Sequence, residues 1–340
     1  MNKSKRQMKP FVEEISRKME GNEQMRTARA YLTALRSLEL FLGRPPRFSD
    51  IVAEQIKRYE RWLKDKKLAQ NTVSFYMRNM RAINNRAVSA GLTAPPEGNP
   101  FAEVYTGIAQ TAKRSLNEGE MRKLALKTEI VHKTRAEKLK ARARTVENKY
   151  IAGKSDALRM FMFCFHAQGM SFADAYFLKK SNIYGNKIVY RRRKTGKDVV
   201  VFINSEAAAI MDFYRGSSPD SPYFFPFVNP SCDHRSEYLQ YCAALSSMNR
   251  KLKSASKRAG IERHISFHVA RHSWASFAQN NGESLTVVSS ALGHQSEKTT
   301  QIYLNHLDSG EVAKAGNRIA GMFALDRGVR YKRKSVSVAV

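Results

Sequence analysis

One stretch limits the fold more than any other: KIVYRRRKTGKDVVVFI, residues 187–203. Two β-branched and aromatic runs flank Lys194-Thr195-Gly196-Lys197, the pattern of a hairpin with Gly196 in its turn. Around it the apolar residues recur at helical spacing. Thr27 to Leu42 sets Tyr31, Ala34, Leu35, Leu38 and Leu42 on one stripe, stopped by Gly43 and the Pro45-Pro46 pair. A second helix, capped by Ser49 or Asp50, puts Ile51, Ile56, Tyr59 and Leu63 on its apolar side, and a third, capped by Asn71 or Thr72, runs to Gly91. The fold class expected is mainly α with a small β-sheet or hairpin: an all-helical N-terminal domain over 11–93, then a mixed α+β domain.

TAPPEGNP, residues 93–100, separates the two, because three prolines and a glycine support neither a helix nor a strand interior. Helices resume near Asn117, and Arg135–Tyr150 is a strongly basic run expected as an exposed helix. An apolar helix follows over Ala157–Ala167, and helical runs begin at Ser205 and after Leu239, the last reaching Arg258 with Gly260 beyond its end. Ser217–Pro230 reads as a loop with Tyr223, Phe224, Phe225 and Phe227 packed under it. The last residues, RGVRYKRKSVSVAV, read as a basic tail.

Charge points to the partner. Lys and Arg number 59 against 30 Asp and Glu, a net +29, with 20 basic and 11 acidic side chains in residues 1–112 and 39 and 19 in the rest. A cationic excess spread over both parts seeks a polyanion, and nucleic acid is the polyanion expected. Arg78, Arg81 and Arg86 beside Lys64, Lys66 and Lys67 form a phosphate-facing surface on that reading, or a solvated face on the blander one. The longest apolar run, Met160–Phe165, falls far short of the roughly 18 residues that span a bilayer, so no membrane role is expected. The start shows no secretory signal. Cys164, Cys232 and Cys242 are odd in number and lack C-x-x-C spacing, against a disulfide framework or a zinc site and in favour of a reduced, cytosolic setting.

The chemistry gathers in residues 264–303. Ser266 can cap a helix whose buried stripe is Phe267, Ala270, Trp274 and Phe277, with His268 and Arg271 at i and i+3 sharing the adjacent face. Gly282 closes that helix, and Leu285 to Leu292 makes another, ended by Gly293, so that His294 leaves a helix terminus. Ser296 or Thr299 can start a third, whose first turns carry Tyr303. Phosphate-seeking groups with a hydroxyl nucleophile suit phosphoryl transfer without a metal. His268 and His272, at i and i+4, could ligate a metal, but no third ligand stands nearby, and none is expected.

HVARHSWAS followed by LGHQSEKTTQIY, with K-T-G upstream, resembles the catalytic signature of the tyrosine recombinases, the phage-integrase family. The resemblance covers most of the chain. It implies a helical, SAM-like core DNA-binding domain over 1–105 with a linker at about 93–114, a catalytic domain over 115–325, and a basic tail over 326–340. It implies a site-specific recombinase, an integrase or invertase of a mobile element, bacterial or phage-derived and nucleoid-associated, working without cofactor, metal or ATP. Its partner would be double-stranded DNA, bound by four protomers on two sites and by a monomer or dimer when free. Tyr303 would be the nucleophile. Arg271 and His294 would hold the phosphoryl group, His268 would handle the tyrosine proton, and Lys194, with Lys197 as fallback, would protonate the departing 5′ oxygen. Phosphate contacts are expected from Arg78, Arg81, Arg86, Lys64, Lys67 and Arg192. One position departs from the pattern: in Gly169-Met170-Ser171-Phe172-Ala173-Asp174, Ser171 stands where an arginine is expected, with Asp174 at the acidic position. Arg159, or one of Arg191, Arg192 and Arg193, would have to fill the gap. A non-catalytic DNA-binding protein on this fold and a strand-passing topoisomerase of related chemistry are the alternatives.

Overall fold

The computed structural model describes residues 7–21, 24–109, 115–126, 154–217, 219–231 and 233–294. The chain divides into two compact units, one of Met1–Lys113 with Ser231–Ala243, the other of Arg114–Pro230 with Ala244–Val340.

The first unit is built on α1 (Met8–Gly21), α2 (Met25–Leu42), α3 (Ala53–Asp65) and α4 (Gln70–Ser89). The stripe read on α2 is its buried side: Tyr31, Ala34, Leu35 and Leu38 join Val12 of α1, Ile56, Tyr59 and Leu63 of α3 and Met77, Met80 and Ile83 of α4 in one core. Gly43 ends α2 in the left-handed conformation, φ 67°, donating its N–H to the Glu39 carbonyl at 2.9 Å.

Two expected caps do other work. Helix α3 begins at Ala53 behind Val52, because Phe48–Asp50 forms a separate 3-10 turn and the Asp50 carboxylate accepts from the Arg47 N–H and from Arg44. Ile51, expected in α3, is buried ahead of it. Asn71 lies inside α4 and bonds the backbone of Ala109 on both sides, donating to its carbonyl at 2.9 Å and accepting its N–H at 2.8 Å. Over 93–109 no helix or strand forms, yet the segment is fastened down. Phe101 and Val104 enter the core, Tyr105 N–H meets the Glu60 carboxylate, and the Ser74 hydroxyl meets the Gly107 carbonyl. Residues 231–243 also pack on this unit, with Arg26 donating to the Tyr241 hydroxyl at 2.8 Å and Arg29 over the Tyr238 ring.

The second unit surrounds α5 (Lys154–His166), buried continuously from Asp156 to Cys164, as a helix apolar on all sides must be. It packs against α6 (Phe172–Tyr176), α7 (Ser205–Tyr214) and α9 (Phe267–Asn280). Helix α8 (His234–Arg258) precedes α9, and α10 (Leu285–Ala291) follows it. Upstream, residues 118–126 are helical, started by a reciprocal cap between Asn117 and Glu120. The loop aromatics pack as expected, with Phe225 and Phe227 buried beside Tyr214.

The hairpin forms β2 (Lys187–Arg191) and β3 (Asp198–Phe202), joined antiparallel with Tyr190 opposite Val199, and a two-residue strand β1 (Ile183–Tyr184) adds to β2. Ile188, Tyr190, Val199 and Val201 alternate into the core, and α10 packs on β3. Helix α8 starts at His234, earlier than expected, and Ser266 heads α9 without a side-chain cap bond, while Asn249 Oδ1 accepts the Phe267 N–H at 3.0 Å. No described helix is long and apolar enough to cross a membrane.

Candidate active site

Arg271 stands in the middle of α9 and is 1% exposed. Its Nη1 donates to the Gly169 carbonyl at 2.9 Å and its Nη2 to the Leu292 carbonyl. Those bonds tie together the turn after α5 and the end of α10, and they fix the guanidinium plane. Gly169, at φ 71°, makes the approach possible: a Cβ there would lie 3.3 Å from Arg271 Cα. His268, one turn earlier, is exposed, with its ring edge-to-face on His272 at 4.5 Å. The two residues expected on one face are therefore unequal, Arg271 turned inward and His268 outward.

The L-G-H turn is built by capping. The Ser284 hydroxyl accepts the Val287 N–H to start α10. At its end Gly293 takes φ 60°, and the N–H groups of Gly293 and His294 return to Ser290 and Ser289. Against this turn lies the hairpin loop 192–197. Arg192 Nη1 donates to the Gly293 carbonyl at 2.8 Å, joined by the Thr195 hydroxyl at 3.3 Å, and Lys197 Nζ reaches the His294 carbonyl at 3.3 Å. Three successive carbonyls, of 292, 293 and 294, thus each accept from a cationic side chain. The C-terminal end of a helix favours such positive charge.

His294 is 4% exposed and surrounded by cations. Burial, then the charges of Arg271, Arg192, Lys194 and Lys197, push its imidazole pKa down to about 3. It is therefore neutral at physiological pH and able to donate one hydrogen bond. The structure brings Arg271, His294, Lys194 and Lys197 together.

Ser171 caps α6 and donates its hydroxyl to Asp174 Oδ2 at 2.7 Å. Asp174 Oδ1 accepts the Arg193 N–H at 2.9 Å, and Arg192 Nε lies 3.9 Å from Oδ2. Arg192, expected on the DNA-facing surface, is instead 6% exposed and faces this turn. The sequence offered Arg192 both as a DNA contact and as one of four candidates beside Ser171, and it held a signal for the second: Ile188, Tyr190 and Arg192 continue one period-two alternation, all three buried. Sequence reading missed Thr195 as a partner of the L-G-H turn. Among the described residues no cluster of three metal-ligating side chains occurs.

Of the basic residues expected to meet DNA, Arg78, Lys64 and Lys67 are exposed and Arg81 is half-buried. Lys64 pairs with Glu60 at 2.8 Å, and Arg86 donates to the Tyr31 hydroxyl at 3.2 Å. Tyr303, the helix expected from Ser296 or Thr299, the basic run Arg135–Tyr150 and the tail 326–340 lie outside the described residues.

Comparison with known proteins gives this geometry a context. Tyrosine recombinase XerD of Rickettsia bellii is 31% identical over 179 residues, 48% of this chain and 56% of that protein. The chain spans about half the length of the curated relatives it matches. Among solved structures, XerH site-specific recombinase bound to a palindromic difH substrate, in a post-cleavage complex, is similar in fold (TM-score 0.59, 17% identity, covering 86% of this chain and 80% of that one). So is a lambda integrase tetramer bound to a Holliday junction (TM-score 0.58, 14% identity, covering 86% and 79%). The model of the phage integrase SAM-like domain matches residues 7–98, within the helical first unit. Residues 129–309, more than half of the chain and containing Lys194, His268, Arg271, His294 and Tyr303, match the model of the phage integrase family, and the chain belongs to that family.

Proposed function

We propose that this protein is a site-specific tyrosine recombinase that cuts and rejoins duplex DNA through a 3′-phosphotyrosyl intermediate on Tyr303. The observation that carries the reading is the ring of cations around neutral, buried His294 at the turn where Arg271 is held. Such a site suits a phosphodiester, whose charge grows on the non-bridging oxygens as the nucleophile arrives.

The Tyr303 oxygen attacks phosphorus in line, the bond from phosphorus to the 5′ oxygen breaks, and a free 5′-hydroxyl leaves. Arg271 holds the non-bridging oxygens with a guanidinium that stays charged at any working pH. His294 donates one hydrogen bond to the same phosphoryl group. His268, which is exposed, takes the tyrosine proton, and Lys194 supplies a proton to the 5′ oxygen, with Lys197, bonded to the His294 carbonyl, able to replace it. Rejoining runs the same steps in reverse with a new 5′-hydroxyl. The phosphotyrosyl bond retains the energy of the broken phosphodiester, so neither ATP nor a metal is needed.

The partner is double-stranded DNA, gripped by the exposed basic residues Arg78, Lys64 and Lys67 of the first unit together with the catalytic unit. Four protomers act on two sites, in keeping with the tetrameric assembly solved for lambda integrase. The test is covalent trapping on a nicked duplex whose cleaved strand loses its short 5′-hydroxyl fragment. Wild type should accumulate a protein–DNA adduct resistant to denaturation, and Tyr303→Phe should form none. An adduct persisting in Tyr303→Phe removes Tyr303 as nucleophile, and its absence from wild type removes the enzyme reading.

A further inference from the structure

A phosphoryl group under attack in line carries nearly two negative charges on its non-bridging oxygens. Arg271 supplies one fixed positive charge, His294 is neutral, and both lysines lie on exposed positions of the hairpin. Ser171 contributes no charge, and its hydroxyl is engaged by Asp174. A second fixed cation is therefore required, and four arginines are close enough in sequence or space to consider.

Three are committed elsewhere. Arg159 is fully buried against Asp156 at 3.6 Å and lies over the Phe213 ring at 3.8 Å. Arg191 closes its own hairpin, donating Nε to the Gly196 carbonyl at 2.8 Å. Arg193 lies over the Phe177 ring at 4.1 Å. Arg192 is bonded to the L-G-H turn itself. Its Nη1 donates to the Gly293 carbonyl, next to the Leu292 carbonyl that Arg271 takes, so the two arginines grip adjacent peptide units. A Cβ on Gly293 would lie 3.2 Å from Arg192 Cδ, which shows how closely the stem follows the turn.

Resting on the recombinase reading above, we infer that Arg192 is a catalytic residue, the second fixed cation of the scissile-phosphate site, entering from the β-hairpin and not from the 169–174 turn. Asp174 is its positioning residue. The Asp174 oxygens accept from the Ser171 hydroxyl and the Arg193 N–H, so the carboxylate faces Arg192 Nε from 3.9 Å as a loose ion pair, with no hydrogen bond on that Nε. The serine and the arginine thus form one device. Ser171 fixes Asp174, and Asp174 fixes the strand end that delivers Arg192.

The test separates charge from architecture. A nicked duplex, its recognition sequence selected from a random pool by binding, is prepared with the cleaved linkage either as phosphodiester or as methylphosphonate, which lacks one negative charge. Arg192→Gln keeps an N–H donor for the Gly293 carbonyl and loses the cation. On the phosphodiester its rate of adduct formation should fall about 10²–10³-fold, the loss typical of one preorganised group. On the methylphosphonate it should come within about tenfold of wild type, because the charge it would have balanced is gone. Arg192→Lys, which keeps the charge without the fork, should fall between the two on the phosphodiester, and it carries the comparison if the glutamine variant does not fold. Equal losses on both substrates would reduce Arg192 to a brace of the turn, and no loss on either would remove it from the site. Each of those outcomes overturns this inference while leaving the recombinase reading intact. Failure of wild type to form an adduct overturns both.

Discussion

Gly169 and Arg271 are fitted to one another: the glycine carbonyl accepts Arg271 Nη1 at 2.9 Å, and its missing side chain leaves the space the arginine backbone occupies. At φ 71° the position also favours glycine conformationally. A Cβ would meet Leu292 Cδ2 at 3.0 Å as well as Arg271 Cα at 3.3 Å. Gly169→Ala should therefore cost about 1–3 kcal/mol of stability from the left-handed backbone and the crowding together. Because the displaced atoms belong to Arg271 and to the residue before Gly293-His294, adduct formation should fall further than DNA binding. Thermal melts paired with trapping and binding assays check this, and a binding loss as large as the trapping loss would contradict it.

Gly293 is constrained from the opposite side. A Cβ at this position, φ 60°, would sit 2.7 Å from Val199 Cγ2 of β3. Gly293→Ala should push the turn off the hairpin, weakening the Arg192, Thr195 and Lys197 bonds to carbonyls 293 and 294. Adding Val199→Ala removes the steric part while leaving the backbone part, so the double variant should recover some trapping activity without regaining wild-type stability. No recovery at all would place the whole defect in the backbone conformation.

His294 makes a prediction about pH. An ordinary histidine titrates near 6.5, whereas burial and its cationic neighbours lower this one to about 3. A depressed pKa means that the unfolded chain binds the proton more readily, so the stability linked to His294 is fully present above about pH 6.5 and is lost as pH falls toward 3. Melting temperature should decline less steeply on acidification in His294→Gln than in wild type. The same neutrality bears on the reaction. Glutamine, a neutral donor, should retain at least about tenfold more trapping activity than His294→Ala, given the roughly 10²–10³ at stake in such a donor. Parity between the two would mean that the imidazole donates nothing to the phosphoryl group.

What the residues revealed in advance follows a physical division. The α2 stripe, the hairpin and the L-G-H turn were legible because each is specified by neighbours in sequence, through period, turn residues and a left-handed glycine. The capping of α9 was not: Ser266 makes no side-chain cap bond, and the Phe267 N–H is taken by Asn249, 18 positions earlier. Asn71 and Asp50 were likewise drawn to partners no local rule names. The two-residue strand β1 is too short to carry a pattern, and nothing local announces that residues 231–243 pack on the first unit. In the site, Arg271 and His294 stood out by spacing, and Lys194 by the resemblance to the tyrosine recombinases. The alternation of Ile188, Tyr190 and Arg192 was readable, but that Arg192 Nη1 reaches the Gly293 carbonyl, 101 positions away, no local rule announces.

The basic surface of the first unit separates into grades of availability that salt titration can read. Arg78 is exposed and, among the described residues, makes a long contact to the Ser74 carbonyl, 3.4 Å, one turn back on its own helix. Lys64 is paired with Glu60, and Arg86 is bonded to the Tyr31 hydroxyl with its guanidinium 5.9 Å from that ring's centre. Each phosphate neutralised in a duplex contributes about 0.9 to the slope of log affinity against log salt. Arg78→Ala should reduce the magnitude of that slope by about one contact's worth. Lys64→Ala should reduce it less, since losing the lysine also leaves the Glu60 carboxylate uncompensated and its effect on affinity mixes repulsion with a lost contact. Arg86→Ala should lower melting temperature through the lost Tyr31 partner and change the slope least of the three. Binding isotherms of the three variants on one duplex over a salt series decide the order. If Arg86→Ala gave the largest slope change, that side chain would be leaving Tyr31 to reach the DNA backbone.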